Sequence, residues 1–181
     1  MNRLPARYQL PLVAGVSLVV VLLVVGAVLL AGRIGPGPTP STHPSSPPPS
    51  ATADQSTPDG AVQAFFEAFV RARRTDDPSL VLGLTTGEES SAYRSVEAFL
   101  LGQKEVGKAS ITTVLELENF STSTDGDRST VVFDLTEGGY DISLDTGEPL
   151  ESPEVLPTTR VTVELILSDG KWLVDSYESQ L

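Results

Sequence analysis

A stretch of 23 residues without a charge, Leu10 to Gly32, constrains this chain more than any other feature. It reads LPLVAGVSLVVVLLVVGAVLLAG, and only Pro11 and Ser17 depart from apolar residues and glycine. At 1.5 Å per residue a helix of this length rises about 34 Å, which crosses a hydrocarbon core of roughly 30 Å. Lipid obliges a backbone to close its own hydrogen bonds, so the valine-rich centre is no obstacle to a helix. Pro11 falls in the first turn, where its missing N–H costs little. A core helix of a water-soluble domain is seldom so long and so uniformly apolar. A cleaved signal peptide has a shorter core, about 7–15 residues, and an Ala-x-Ala type of cleavage site. Leu29-Leu30-Ala31-Gly32-Arg33 is not such a site. The expectation is one uncleaved transmembrane helix over 10–32, preceded by a short cytoplasmic tail, residues 1–9. Arg3, Arg7 and the terminal amine lie before the helix, and only Arg33 follows it closely. The positive-inside rule then places the N-terminus in the cytoplasm and the remainder of the chain outside it.

Charge is distributed as unevenly as hydropathy. All 24 acidic residues lie from Asp54 onward, together with nine of the 12 basic ones. That part carries a formal charge of −15, more acidic than the −12 of the whole chain. The mean hydropathy of +0.03 averages an apolar segment with an acidic one. So acidic a surface argues against nucleic acid as a partner. The absence of cysteine excludes disulfides, thiolate metal sites and cysteine nucleophiles. One histidine, His43 in a proline-rich stretch, does not supply a histidine-based triad or a multi-histidine metal site. No catalytic, cofactor-binding or metal-binding residue is assigned, and no cofactor is expected.

Residues 33–56 are dominated by Pro, Ser, Thr and Gly. Such a segment cannot bury enough apolar surface to offset its ordering entropy, so a disordered linker of polyproline II character is expected. At about 3.1 Å per residue it can reach roughly 70 Å and act as a stalk. Its composition permits O-glycosylation. His43 reads as a solvated linker residue, and the Pro44 to Pro47 spacing as one that arises by chance.

The remaining 57–181 reads as one α+β domain. Thr57 can cap a helix, Pro58 suits its first position, and Asp59 meets the positive end of its dipole. Val62, Phe65, Phe66, Phe69 and Val70 recur on one helical face. Arg71, Arg73 and Arg74 fall in the last turns, where they complement the dipole; a phosphate or an acidic partner is the other use for such a cluster. A short helix, Ser79 to Leu84, and a third from about Glu88 to Glu105 follow. Ala92, Tyr93, Val96, Phe99 and Leu100 line the third, and Gly107 closes it. From Ala109 the period changes to 2. Strands are expected around Ile111–Leu117, Thr130–Thr136, Tyr140–Leu144, Arg160–Ser168 and Lys171–Glu178, with an acidic loop over Asp145–Pro157. Asp125-Gly126 marks a turn, and Asp169-Gly170 is a strong two-residue hairpin signal. Helices followed by an antiparallel meander give a sheet with one face covered by helices and one solvated.

The opening helix Pro58-Asp59-Gly60-Ala61-Val62-Gln63-Ala64-Phe65-Phe66-Glu67-Ala68-Phe69 and the closing hairpin Asp169-Gly170-Lys171-Trp172-Leu173-Val174-Asp175 together resemble the nuclear transport factor 2-like (cystatin-like) superfamily. The resemblance covers about residues 57–181 and is a pattern of elements, not a signature motif. It implies a curved antiparallel sheet wrapped round helices into a cone with an open end. Some members are isomerases or cyclases with Asp, His or Tyr in the cone. Others are membrane-anchored extracytoplasmic domains of bacterial secretion and transporter-associated proteins, whose layout this chain shares. That likeness is an analogy of architecture, and fold does not fix function.

Several short motifs read as structure. Asp145-Thr146-Gly147 matches the aspartic-protease triplet, but Glu148-Pro149 follows it and three helices precede the strands; it reads as a loop turned by Gly147. Asp125-Gly126-Asp127 lacks the distal glutamate of a calcium loop. Glu148, Glu151 and Glu154 form a solvated acidic loop with weak attraction for calcium. Asn119-Phe120-Ser121 fits a glycosylation sequon, relevant only in a glycosylating host. Asp134, Asp175, Tyr93, Tyr140 and Tyr177 are candidates for ligand contact, although Asp134 alternates away from the core face, and Trp172 reads as core. The expectation is a single-pass, membrane-anchored, non-enzymatic extracytoplasmic domain that contacts a protein partner. The alternative is a small-molecule-binding or isomerase-like domain using a cone cavity. Nothing in the residues sets the oligomeric state.

Overall fold

The computed structural model describes residues 54–180. The expected cytoplasmic tail 1–9, the transmembrane helix 10–32 and the linker up to residue 53 lie outside the described residues. Among the described residues no helix is long and apolar enough to cross a membrane.

Helix α1 spans Pro58–Thr75. Thr57 caps it, its side chain accepting from the Gly60 N–H at 3.2 Å, and Pro58 occupies the first turn. Ala61, Val62, Ala64, Phe65, Phe66, Ala68, Phe69 and Ala72 are buried, a face wide enough for the helix to be covered on more than one side. The helix stops at Asp76, which takes a left-handed conformation (φ 53°) and pairs with Lys104 Nζ at 2.9 Å. Helix α2 is only Ser79–Leu82, two residues shorter than expected. Helix α3 is Ser91–Glu105. It starts three residues later than expected, because Ser90 caps it by accepting from the Tyr93 N–H at 3.0 Å. Gly107 (φ 71°) ends it, its N–H bonded to the Lys104 carbonyl at 3.0 Å. Phe99, expected in the core, is 40 % exposed and pairs edge-to-face with Phe69 at 5.7 Å.

The sheet is antiparallel throughout, with strands β1 (Lys108–Asp125), β2 (Arg128–Ser143), β3 (Glu154–Val155), β4 (Thr159–Ser168) and β5 (Lys171–Gln180). Their order is β1-β2-β4-β5, and β3 pairs with the far part of β2. The two strands expected at Thr130–Thr136 and Tyr140–Leu144 are one continuous strand. Gly138-Gly139, between the two expected segments, is a site of close approach. A Cβ on Gly139 would run into the Ile111 carbonyl oxygen, and one on Gly138 would lie 2.9 Å from the Glu154 carbonyl oxygen. Bulges at Thr112/Val114 and Glu118/Ser121 in β1 and at Glu164/Leu165 against β5 bend the sheet round the helices. Asp169 (φ 51°) and Gly170 (φ 76°) form the tight turn of the last hairpin. The open edge of β5 is occupied by the Gln55 carbonyl, which accepts from Trp172 N–H at 2.9 Å, and by Leu84–Thr86, bonded to both sides of Val174.

Helices and sheet close on an aromatic core. Phe66 meets Phe133 edge-on at 5.3 Å, Phe120 stacks on Phe133 at 5.2 Å, and Tyr177 packs on Phe65 at 5.5 Å and Phe66 at 5.9 Å. Val131, Val161, Val163, Leu165, Trp172 and Val174 supply the sheet side. The result is a domain of helices packed on a curved antiparallel sheet.

Candidate functional site

Four residues beyond this core, on the same helix and the same strand, the interior becomes polar. Arg73 lies one helical turn past Phe69 and Glu137 lies four residues past Phe133. Their side chains pair across the helix–sheet interface, Nη2 to Oε1 at 2.5 Å and Nη1 to Oε2 at 3.5 Å, with side-chain exposures of 11 % and 23 %. The guanidinium carbon also lies 4.8 Å from the centre of the Phe69 ring, so the ring covers one face of the charge. Arg73 Nε is buried without a partner.

A second polar chain lies beside this pair. Gln103 of α3 donates to Ser110 of β1, and Ser110 Oγ donates to Asp141 Oδ1 of β2 at 2.7 Å. Lys108 Nζ approaches Asp141 Oδ2 at 3.6 Å. Gln103 Oε1 is buried without a partner. Between the two chains, and bounded outside by Glu151, Glu154 and Leu156, runs an open cleft of about 160 Å³. Gly138 and Gly139 form part of its wall, packed against the backbones of Glu154 and Ile111.

Tyr177 marks the border between core and cleft. Its phenol is pushed up to about 12, chiefly by desolvation among the phenylalanines. The Glu137 carboxylate raises it further and the Arg73 guanidinium opposes the shift.

The other residues singled out from sequence are dispersed. Asp134 points away from the core and bonds to Asn119 Nδ2 at 2.9 Å and Arg160 Nη1 at 3.4 Å. Asp175 accepts from Thr86 Oγ1 at 2.5 Å, tying β5 to the segment after α2. Tyr93 is buried in the helical layer, and Tyr140 alone among the candidate tyrosines and aspartates lines the cleft. Of the three arginines at the end of α1, Arg71 and Arg74 are exposed and only Arg73 turns inward. Asp145-Thr146-Gly147 is an exposed turn in which Gly147 takes φ 72°. Among the described residues no three His, Cys, Asp or Glu side chains gather as a metal-binding set.

Of the cleft residues, Arg73 was pointed to by the sequence as one of three clustered arginines, while Glu137, Ser110, Asp141 and Gln103 were not. Two of the five carried a further signal. Arg73 continues the stripe Val62, Phe66, Phe69 at helical spacing, and Glu137 continues the alternation Val131, Phe133, Leu135. A charge in phase with a core stripe has to meet a partner. Chemically, the cleft holds Arg73 against the carboxylates of Glu137, Asp141, Glu151 and Glu154. Its field therefore favours a cationic group over an anion.

No protein-family model and no curated protein matches this sequence. Solved structures do. The intermembrane space region of the chloroplast protein ARC6 aligns with a TM-score of 0.53 at 18% identity, covering 70% of this chain and 95% of that one. A nuclear transport factor 2-like superfamily protein from Salmonella enterica serovar Typhimurium aligns at 0.45 and 13% identity, over 66% of this chain and 87% of that one. A protein with a cystatin-like fold from Nostoc punctiforme aligns at 0.42 and 11% identity, over 66% and 86%. The likeness is one of fold.

Proposed function

We propose that this chain is a single-pass membrane protein whose acidic domain stands outside the cytoplasm and works by contact with another protein, without catalysis of its own. The observation that carries this reading is the filled interior. Phe65, Phe66, Phe120, Phe133 and Tyr177 occupy the space between helices and sheet, and the cleft beside them measures about 160 Å³. Pockets that hold small molecules usually measure about 300–1,000 Å³. The uncharged run Leu10–Gly32 supports the anchor, and Arg3 and Arg7 ahead of it support a cytoplasmic N-terminus. The solved domain with the TM-score of 0.53 is, by its name, an intermembrane space region, which is in keeping with a domain of this fold placed beyond a membrane.

The alternative, a small-molecule-binding or isomerase-like domain, rests on the cleft and on Tyr140 and Tyr177 near it. Crosslinking of the full chain in its native membrane, followed by affinity purification, separates the two. The proposal expects one protein recovered in stoichiometric amount. Recovery of no protein, with a metabolite retained on the domain in native mass spectrometry, overturns it in favour of the alternative. A reporter fused after Leu181 that is active only in the cytoplasm overturns the orientation.

A further inference from the structure

We infer that the segment Leu144–Leu156, with the cleft behind it, is the docking surface of this domain, and that its occupant is a segment of a partner protein in which Lys or Arg stands beside apolar side chains. The inference rests on the reading of the domain as a contact module and adds to it a face and a chemistry.

Every residue from Leu144 to Thr158 is exposed, yet the backbone is fixed to the sheet. Leu144 N–H bonds to the Gly107 carbonyl at 2.9 Å, Leu150 N–H to that of Asp141 at 2.8 Å, and Leu156 N–H to that of Glu137 at 2.8 Å. β3 adds its pairing with Gly138 and Gly139. The segment thus holds four large apolar side chains in water: Leu144, Leu150, Val155 and Leu156, each 42–57 % exposed. Apolar groups displayed on an ordered backbone lose little entropy when they are covered, which is the condition for a contact surface.

Charge selects the occupant. The same segment carries Asp145, Glu148, Glu151 and Glu154 and no basic residue, and none of these four forms a salt bridge among the described residues. The carboxylates deeper in the cleft differ. Glu137 is matched by Arg73, and Asp141 by Lys108. The surplus is therefore negative and lies at the lip, interleaved with the leucines. A second copy of this chain would bring like charges face to face, and anionic lipid headgroups would be repelled. A cationic side chain can enter the cleft between Glu151 and Glu154 while its apolar neighbours cover Leu150 and Leu156.

The test places a photocrosslinking amino acid at Leu150, at Leu156 or, as control, at Leu167 in the full chain in its native membrane. Adducts are mapped by mass spectrometry. Expected are adducts from Leu150 and Leu156, absent from Leu167, on one partner segment with Lys or Arg next to apolar residues. Glu151→Gln with Glu154→Gln should lower their yield at least tenfold, and Glu164→Gln with Glu178→Gln, on β4 and β5, should leave it unchanged. Adducts only at Leu167, or on an acidic or purely polar segment, overturn the assigned face while a contact function stands. Equal loss with both glutamine pairs overturns the claim of a specific lip. No protein adduct at any position, with none recovered by general crosslinking either, overturns the contact reading itself.

Discussion

Helix α1 and strand β2 meet twice, and the two meetings differ in kind. Phe66 touches Phe133 at 5.3 Å, ring edge to ring face. Seven residues along the helix and four along the strand, Arg73 touches Glu137 at 2.5 Å. The first contact is stabilised by area removed from water, about 1.5–3 kcal/mol per ring and a further 0.5–1.5 for the pair. The second has to recover the cost of desolvating two charges, and replacing such a pair by apolar groups is often neutral. A domain that needed only stability has no reason to change from one solution to the other within two helical turns. The change coincides with the start of the cleft and with the arrival of the exposed segment 144–156. Stability resides on the aromatic side, and recognition is assigned to the other.

The contrast is broken most sharply on the dry side. Phe133 is fully buried between Phe66 and Phe120. Phe133→Ala should cost about 3–5 kcal/mol, read as a lowered urea midpoint of the full chain in mild detergent. On the wet side, Glu137→Ala leaves the Arg73 charge 11 % exposed without its carboxylate. A loss of about 1–3 kcal/mol is expected, below the range for a sealed pair because the cleft admits water. The informative measurement is the double variant Arg73→Met with Glu137→Leu. If the pair serves the site and not the fold, the double variant unfolds close to the wild type. If it unfolds as early as Glu137→Ala, the ion pair is part of the stabilising framework and the division argued above fails.

What could be read from the sequence follows the same division. Apolar periodicity located α1, α3 and the closing hairpin because Phe65, Phe66, Val163, Leu165 and Trp172 obey the local rules of helix and strand. Thr57, Pro58 and Asp169-Gly170 marked their boundaries for the same reason. The cleft was hidden because its parts are long-range. Ser110 and Asp141 are brought together only by the β1–β2 register, in which they are direct partners. The continuity of β2 through Gly138-Gly139 was hidden as well, because the need for glycine there arises from Ile111 and Glu154, neither of which is local. The 144–156 segment was read as loop because its β3 pairing involves two residues, too few for an alternation to register. Phe99 shows the converse error: it keeps helical phase with Val96 and Leu100 yet is 40 % exposed.

Tyr177 sits on the border and tests it with pH. Its phenol is held at about 12 in the fold, against about 10 in an unfolded chain. Below pH 10 both states keep the proton and the residue contributes no pH dependence. Between pH 10 and about 12 the unfolded state loses the proton first, so stability falls as pH rises, by about 1.4 kcal/mol per unit from this group. Tyr177→Phe lacks the step. Urea midpoints at pH 8 and pH 11 should diverge between the two proteins, the wild type losing about 1.4 kcal/mol more than the variant. Parallel behaviour would place the phenol in water and move the border of the dry region inward.

The smallest expected effect on stability sharpens the contrast furthest. Leu150→Ser with Leu156→Ser removes two of the largest exposed apolar groups of the docking segment. In an ordinary core such changes unfold a domain; here both side chains already stand about half in water, so unfolding should shift by no more than about 0.5 kcal/mol. The backbone bonds that position the segment, Leu150 N–H to Asp141 and Leu156 N–H to Glu137, are unaffected by the side chain and keep it in place. Partner recovery, in contrast, should fall at least tenfold. A leucine kept exposed on an ordered backbone contributes little to the fold that carries it, and its removal separates what holds the domain together from what the domain is proposed to hold. Were the double serine variant to unfold by 2 kcal/mol or more, the segment would be packed more tightly than its exposure implies, and the wet side would belong to the core after all.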